Sequence, residues 1–232
     1  MKEVQHIFFD LDKTLWDFET NSCEALKDIF IDEDLKEKGI DDFNQFYQIY
    51  AKINEQCWDL YRQNLMNKAY LRYQRFYLTL KYFNIDNRRL AKIIGEAYIE
   101  ISPKKTALIP GTKALLDYLS ERHLLHIITN GFEEVQYQKL HNTGIKTYFQ
   151  HIITSEKAGR RKPDPKIFRF ALQQAGVKAD QTVMIGDDYE IDIQGALKSG
   201  IKAIWYNPSQ SPILQEDIHV VTDLLNICKL FP

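Results

Sequence analysis

Asp10 and Asp12 follow the apolar run His6-Ile7-Phe8-Phe9 with a single leucine between them. Residues i and i+2 of an extended chain project to the same side. Both carboxylates are therefore directed at one point beyond the carboxyl end of a strand, where open α/β sheets bind ligands. Two such groups repel unless a cation or a proton lies between them. Three further polar signals occupy equivalent places later in the chain. Thr129-Asn130-Gly131 closes a second apolar run and offers a hydroxyl and turn amides to an anion. Lys162 stands just ahead of Pro163-Asp164-Pro165, a helix start, and helix N-termini favour phosphate. The segment from Gly186 to Asp192 carries Asp187, Asp188 and Asp192 after another apolar run. Each signal alone reads equally as a turn residue, a helix cap or a solvated lysine. Their joint placement at strand ends is what points to chemistry.

The elements that must hold these groups are legible as short apolar runs at 4–9, 124–129, 151–154, 182–186 and 202–206. Amphipathic helical patterns at 112–122, 132–143, 165–175 and 190–199 fill the intervals. Asp164 with Pro165 is a good N-cap and N1 pair, and Gly144, Gly176 and Gly200 follow the last three helices. Alternating strands and helices of this length predict a parallel α/β sheet covered by helices.

Between Trp16 and about Thr106 the pattern is helical only, with a capping box at Asn21-Ser22-Cys23-Glu24 and three further helices. Leu65 falls on the apolar spacing of the second, and the fourth begins near Asp86. This predicts a core domain of residues 1–15 and 107–232 interrupted by an all-helical insert of residues 16–106. Twelve of the 29 aromatic residues lie between Phe43 and Phe83 at helical core spacing, which is expected of packing rather than of base stacking.

The net charge of −2 shows no basic excess for nucleic-acid backbones. Cys23, Cys57 and Cys228 share no metal-binding spacing. With no apolar leader and no 18-residue apolar stretch, a cytoplasmic, membrane-free protein is expected.

Taken together, the four polar signals resemble, in order, the motifs of the haloacid dehalogenase superfamily of phosphohydrolases. Asp10-x-Asp12-x-Thr14 is similar to the first, Thr129 to the second, Lys162 to the third, and Asp187/Asp188 with Asp192 to the fourth. The resemblance implies a Rossmann-like parallel sheet with a C1-type helical cap, and a Mg2+-dependent phosphatase acting on small phosphate monoesters. It implies that Asp10 is the nucleophile that forms an aspartyl-phosphate, and that Asp12 is the general acid and base. Mg2+ would be held by Asp10, the Asp12 backbone carbonyl and Asp187. Thr129 and Lys162 would bind phosphoryl oxygens, Asp192 would orient Lys162, Asn130 and Asp188 would support the site, and Thr14 would brace the turn.

The second aspartate separates this chain from dehalogenases, and Lys13-Thr14-Leu15 differs from the Gly-Val that commonly follows it in sugar phosphomutases. The stretches from Phe9 to Phe18 and from Ile128 to Gln136 resemble YjjG-type pyrimidine 5′-nucleotidases. On that resemblance Trp16 and Phe18 are candidates for base stacking or hinge packing, and Gln63 and Lys68 for substrate selection. An N-acylneuraminate 9-phosphatase-like sugar-phosphate phosphatase and a phosphomutase remain open alternatives. A phosphoacceptor signalling domain uses similar groups but orders them differently.

Overall fold

The computed structural model describes residues 1, 3–212 and 218–231. The chain divides into two compact units, one formed by the residues up to Phe18 and from Thr106 onward, the other by Glu19–Lys105.

In the first unit six strands form one sheet in the order β3-β2-β1-β4-β5-β6, with every neighbouring pair parallel. They are β1 (His6–Phe9), β2 (Leu124–Thr129), β3 (Phe149–Thr154), β4 (Thr182–Gly186), β5 (Lys202–Tyr206) and β6 (His219–Val221). All four residues of β1 are buried, as a central strand covered on both faces requires. Ile7 and Phe9 pack with Leu115, Leu116 and Leu119 of α5 (Thr112–Ser120), numbered after the four helices of the second unit. Phe8 faces the other side, against Ile167 and Phe168 of α8 (Pro165–Ala175). Among the described residues, the remaining α-helices of this unit are α6 (Glu133–Asn142), α7 (Ser155–Ala158) and α9 (Gln194–Leu197).

The strand order reverses beside β1, since β2 and β3 lie on one side of it and β4 to β6 on the other. Ligand sites of open α/β sheets form at such reversals. Asp10 leaves β1 there, and Asp187 leaves its neighbour β4.

The helix expected over 190–199 is in fact two pieces. Tyr189–Ile193 is a wide π-type turn, in which the Ile193 amide reaches back to the Asp188 carbonyl, and α9 follows it. The turn accommodates Asp192, which is buried rather than set on a solvated helix face. The short edge strand β6, paired to β5, was not expected from the sequence.

The second unit contains α1 (Phe18–Asp32, starting at the unit boundary), α2 (Phe43–Arg62), α3 (Lys68–Tyr82) and α4 (Arg88–Ile101). Its core includes Leu26, Phe46, Tyr50, Phe76 and Ile94, so much of the aromatic stretch packs as expected. The capping box expected at Asn21–Glu24 is not one: α1 begins three residues earlier, Asn21 and Ser22 are buried, and Tyr98 donates a hydrogen bond to the Ser22 hydroxyl at 2.9 Å. Leu65 lies beyond the end of α2 and is exposed.

Residues 15–17 and 107–109 run side by side. Ile109 N–H donates to the Leu15 carbonyl, Asp17 N–H donates to the Ala107 carbonyl, and Trp16 bridges antiparallel to Leu108. Among the described residues no helix is long and apolar enough to cross a membrane.

Candidate active site

Asp10 is fixed by its backbone, whose N–H donates to the Ile185 carbonyl at 2.9 Å and so extends the β1–β4 pairing by one residue. The chain then folds into a tight turn in which the amides of Leu15 and Trp16 both donate to the Leu11 carbonyl and Lys13 N–H donates to Trp16. Lys13 takes φ 65° within that turn. The turn seats Thr14, fully buried, with its hydroxyl donating to Asp187 Oδ1 at 3.0 Å. Thr14 thus braces an acid of the fourth motif.

Lys162 arrives from 152 residues away. Its ammonium lies 2.5 Å from Asp10 Oδ1 and 2.7 Å from Asp192 Oδ1, and all three side chains are buried. The Asn130 side chain holds the lysine backbone from both sides, accepting from Lys162 N–H at 2.8 Å and donating to Lys162 C=O at 2.9 Å. Asp192 Oδ2 accepts from Asp188 N–H at 3.2 Å, and Asp188 caps the wide turn through Ile191 N–H at 3.0 Å. Asp188 is therefore the group that shapes the turn and Asp192 the one that orients Lys162. Gly186 makes room for this: a Cβ there would lie 2.4 to 2.6 Å from three Asp192 atoms.

Thr129, at the end of β2, accepts from Gly131 N–H at 3.0 Å. A hydroxyl that accepts in this way still has its own proton to donate.

Burial dominates the electrostatics. Asp10 is pushed well above the usual carboxylate range by burial; Lys162 pulls it down, while Asp192, Asp187 and Asp12 push it further up. Asp187 is pushed up to about 7, chiefly by burial and then by the charge of Asp192. Burial alone would favour a neutral Lys162, yet the charges of Asp10 and Asp192 outweigh it and raise its proton affinity. One buried ammonium thus contacts two carboxylates of a cluster of three, a local excess of negative charge that a divalent cation would offset.

Oxygens of Asp10, Asp187 and Asp192 lie within 4.8 Å of one another. Two oxygens bound to one Mg2+ at about 2.1 Å are about 3.0 to 4.2 Å apart, so small rotamer changes suffice. Hard carboxylate oxygens are the donor type Mg2+ takes, and the residues present fit the ion. With both Asp192 oxygens engaged by Lys162 and Asp188, Asp10 and Asp187 are the side chains suited to hold it.

Asp12 lies outside that cluster. Its carboxylate is held by two α6 residues: Lys139 at 2.5 Å, which the motif reading missed, and Gln136 at 3.0 Å, which it noted without a role. A lysine within a helical pattern carries no sequence signal of burial; only the fold brings it to Asp12.

Of the two readings of Trp16, base stacking or hinge packing, its burial fits packing. The ring is fully buried in the core unit's cluster, with the Lys139 ammonium 3.8 Å above its face and Phe18 edge-on at 6.2 Å. Phe18 is half-buried against the same cluster. Gln63 ends α2 and is exposed, and Lys68 opens α3, both in the helical unit.

A doubly wound parallel sheet that gathers an aspartate after β1, an aspartate after β4 and a lysine at its strand reversal defines a hydrolase class. The family model for haloacid dehalogenase-like hydrolases matches residues 7–206, and the chain belongs to that family of enzymes. Its relatives include pyrimidine 5′-nucleotidase YjjG of Escherichia coli (strain K12), 32% identical over 202 residues that cover 87% of this chain and 85% of that protein. Pyrimidine 5′-nucleotidase PynA of Streptococcus pneumoniae is also 32% identical, over 204 residues covering 87% and 83%. Among solved structures, the HAD-hydrolase YfnB of Bacillus subtilis, described as bound to magnesium, aligns with a TM-score of 0.88 at 25% identity, covering 98% of both chains.

Proposed function

We propose that this enzyme is a Mg2+-dependent phosphomonoester hydrolase that works through an aspartyl-phosphate on Asp10, with nucleoside 5′-monophosphates as its substrate class. The observation that carries the reading is the Lys162 ammonium, bound at once to Asp10 and Asp192 in a buried setting. It places a positive charge beside the nucleophile, where the phosphoryl oxygens of a substrate accumulate charge.

A carboxylate oxygen of Asp10 attacks phosphorus as the bond to the ester oxygen breaks. Asp12 gives its proton to that departing oxygen. Asp12, now a carboxylate, takes a proton from water; the resulting hydroxide attacks phosphorus, the Asp10–phosphorus bond breaks, and phosphate leaves. Thr129 and Lys162 hold phosphoryl oxygens throughout, and Asn130 keeps the lysine backbone in place. When bound by Asp10, Asp187 and the Asp12 carbonyl, Mg2+ supplies charge neutralisation and alignment of the phosphoryl group.

The preference for nucleotides rests on the two 5′-nucleotidase relatives, which match most of the chain and most of their own length. We read the helical insert as the cap that selects the substrate, with Gln63 and Lys68 as its candidate contacts. The test is phosphate release with Mg2+ across nucleoside 5′-monophosphates, sugar phosphates and p-nitrophenyl phosphate. The nucleotides are expected to give the highest kcat/KM; a uniform preference for sugar phosphates refutes the substrate class, and failure to release phosphate from any ester refutes the activity.

A further inference from the structure

Asp12 is gripped on both of its oxygens by groups from a single face of α6. Gln136 and Lys139, three residues apart and so neighbours on the helix surface, donate to Oδ2 at 3.0 Å and to Oδ1 at 2.5 Å. Both are almost completely buried, at 2% and 4% exposure, while the Asp12 side chain retains 26%. Two buried donors aimed at a partly open carboxylate form a built cradle rather than a surface ion pair. Neighbouring residues keep each donor in place. The Lys139 ammonium also lies 3.8 Å over the Trp16 ring, so the indole fixes its far side. Gln136 passes directly over Gly131, where a Cβ would meet its Nε2 at 1.9 Å and its Cδ at 2.5 Å. Gly131 is thus the only residue type that lets Gln136 reach Asp12 along this path.

We propose that Gln136 and Lys139 are positioning residues for proton transfer by Asp12. The two donors fix the plane of the carboxyl group. Lys139 also stabilises the negative charge that Asp12 acquires as its proton passes to the leaving oxygen, and Trp16 holds that ammonium rather than a nucleotide base. This rests on the assignment of Asp12 as general acid under the proposed function. No bond is made or broken on either donor; the proton moves from Asp12 to the ester oxygen alone.

A leaving group that needs no proton separates this role from a structural one. An alkoxide must be protonated as it departs, whereas p-nitrophenolate leaves unaided. The comparison is kcat/KM for a nucleoside 5′-monophosphate against p-nitrophenyl phosphate, both with Mg2+, in the intact chain and in K139M, Q136M and D12N. General acid catalysis contributes about 10²- to 10⁴-fold, and a positioning residue governs a part of that. K139M and Q136M are expected to lose about 10- to 100-fold on the nucleotide and less than about 3-fold on p-nitrophenyl phosphate. Equal losses on both substrates, or no loss on either, overturn the proposal. D12N shows which statement has failed. If D12N lacks the leaving-group dependence, the acid assignment falls and the proposal with it; if D12N has it and the two α6 variants do not, the clamp alone is refuted. Should K139M not fold, Q136M carries the same comparison, because its substitution is close in size and leaves the buried ion pair intact.

Discussion

Replacing Asp187 with asparagine should stabilise the metal-free protein at alkaline pH, by an amount the burial of that side chain sets. In the folded chain Asp187 titrates near 7, against 3.8 for the free side chain. At about 1.36 kcal/mol for each factor of ten in proton affinity, the difference of roughly three factors is about 4 kcal/mol. The sign follows from which state binds the proton. Below 3.8 both folded and unfolded chains are protonated and nothing is lost. Between 3.8 and 7 only the folded chain keeps the proton, so stability falls as pH rises, and above 7 the full cost is present. Asparagine has the same shape, still accepts from Thr14 and carries no charge, so D187N removes the cost. For a chain of this size about 4 kcal/mol corresponds to a melting temperature higher by about 10 °C. The assay is thermal unfolding with EDTA at pH 5 and pH 8 for both proteins. The gain should be between about two- and threefold larger at pH 8 than at pH 5. Added Mg2+ should reverse the order, because ligand binding stabilises only the chain that can hold it. A D187N chain that is less stable than the parent at pH 8, or a difference that does not vary with pH, refutes the reasoning.

Asp10→Asn should reduce phosphate release by at least about 10³-fold while folding normally; retained turnover would falsify the nucleophile assignment, as a direct single-turnover measurement can show. Lys162→Met removes the cation between Asp10 and Asp192 and should destabilise by about 3–5 kcal/mol at pH 8, and by less at pH 5, because burial raises both stranded carboxylates and favours their proton uptake as pH falls; urea unfolding at the two values measures this. His126, stacked between His6 and His151 on the sheet, is pushed down to about 3, first by burial and then by its two histidine neighbours. Its neutral form is required by the fold, so acid destabilises from pH 6.5 downward by about 1.4 kcal/mol per unit until about 3. His126→Phe should flatten that acid limb in a pH series of unfolding curves, and an unaltered limb would exclude the histidine stack as its source.

Five strands were legible as short apolar runs: β2, β4 and β5 have the expected bounds, and β1 and the edge strand β3 differ by two residues at one end. The edge strand β6 was not, since three residues paired only to β5 leave no periodic signature. The acids and lysine of the motifs were legible from their types and from their places after strands. What they touch was less so. The resemblance gave Asp192 the task of orienting Lys162 but gave Asp188 no definite one, and only the wide turn at Tyr189–Ile193 identifies Asp188 as its cap. Lys139 was invisible for a related reason. Helical spacing told which residues of α6 share a face but not that Asp12, 127 positions earlier, would meet that face. Trp16 left two readings open because an aromatic beside a motif has the same sequence signature whether it is packed or open.

The paired segments 15–17 and 107–109 close a long insertion at its two ends. Because hydrogen bonds zip them together, the 87 residues of Glu19–Lys105 are, in chain connectivity, one very long loop closed at its two ends. Closing such a loop rather than a four-residue one costs only about 3 kcal/mol in chain entropy, since that cost grows with the logarithm of length. The catalytic sheet is therefore nearly indifferent to what the loop contains. A different helical unit, or a tight turn, could be grafted at the same two points with little penalty to β1; on the proposed reading of that unit as the cap, this would exchange the choice of substrate and leave Asp10 in place.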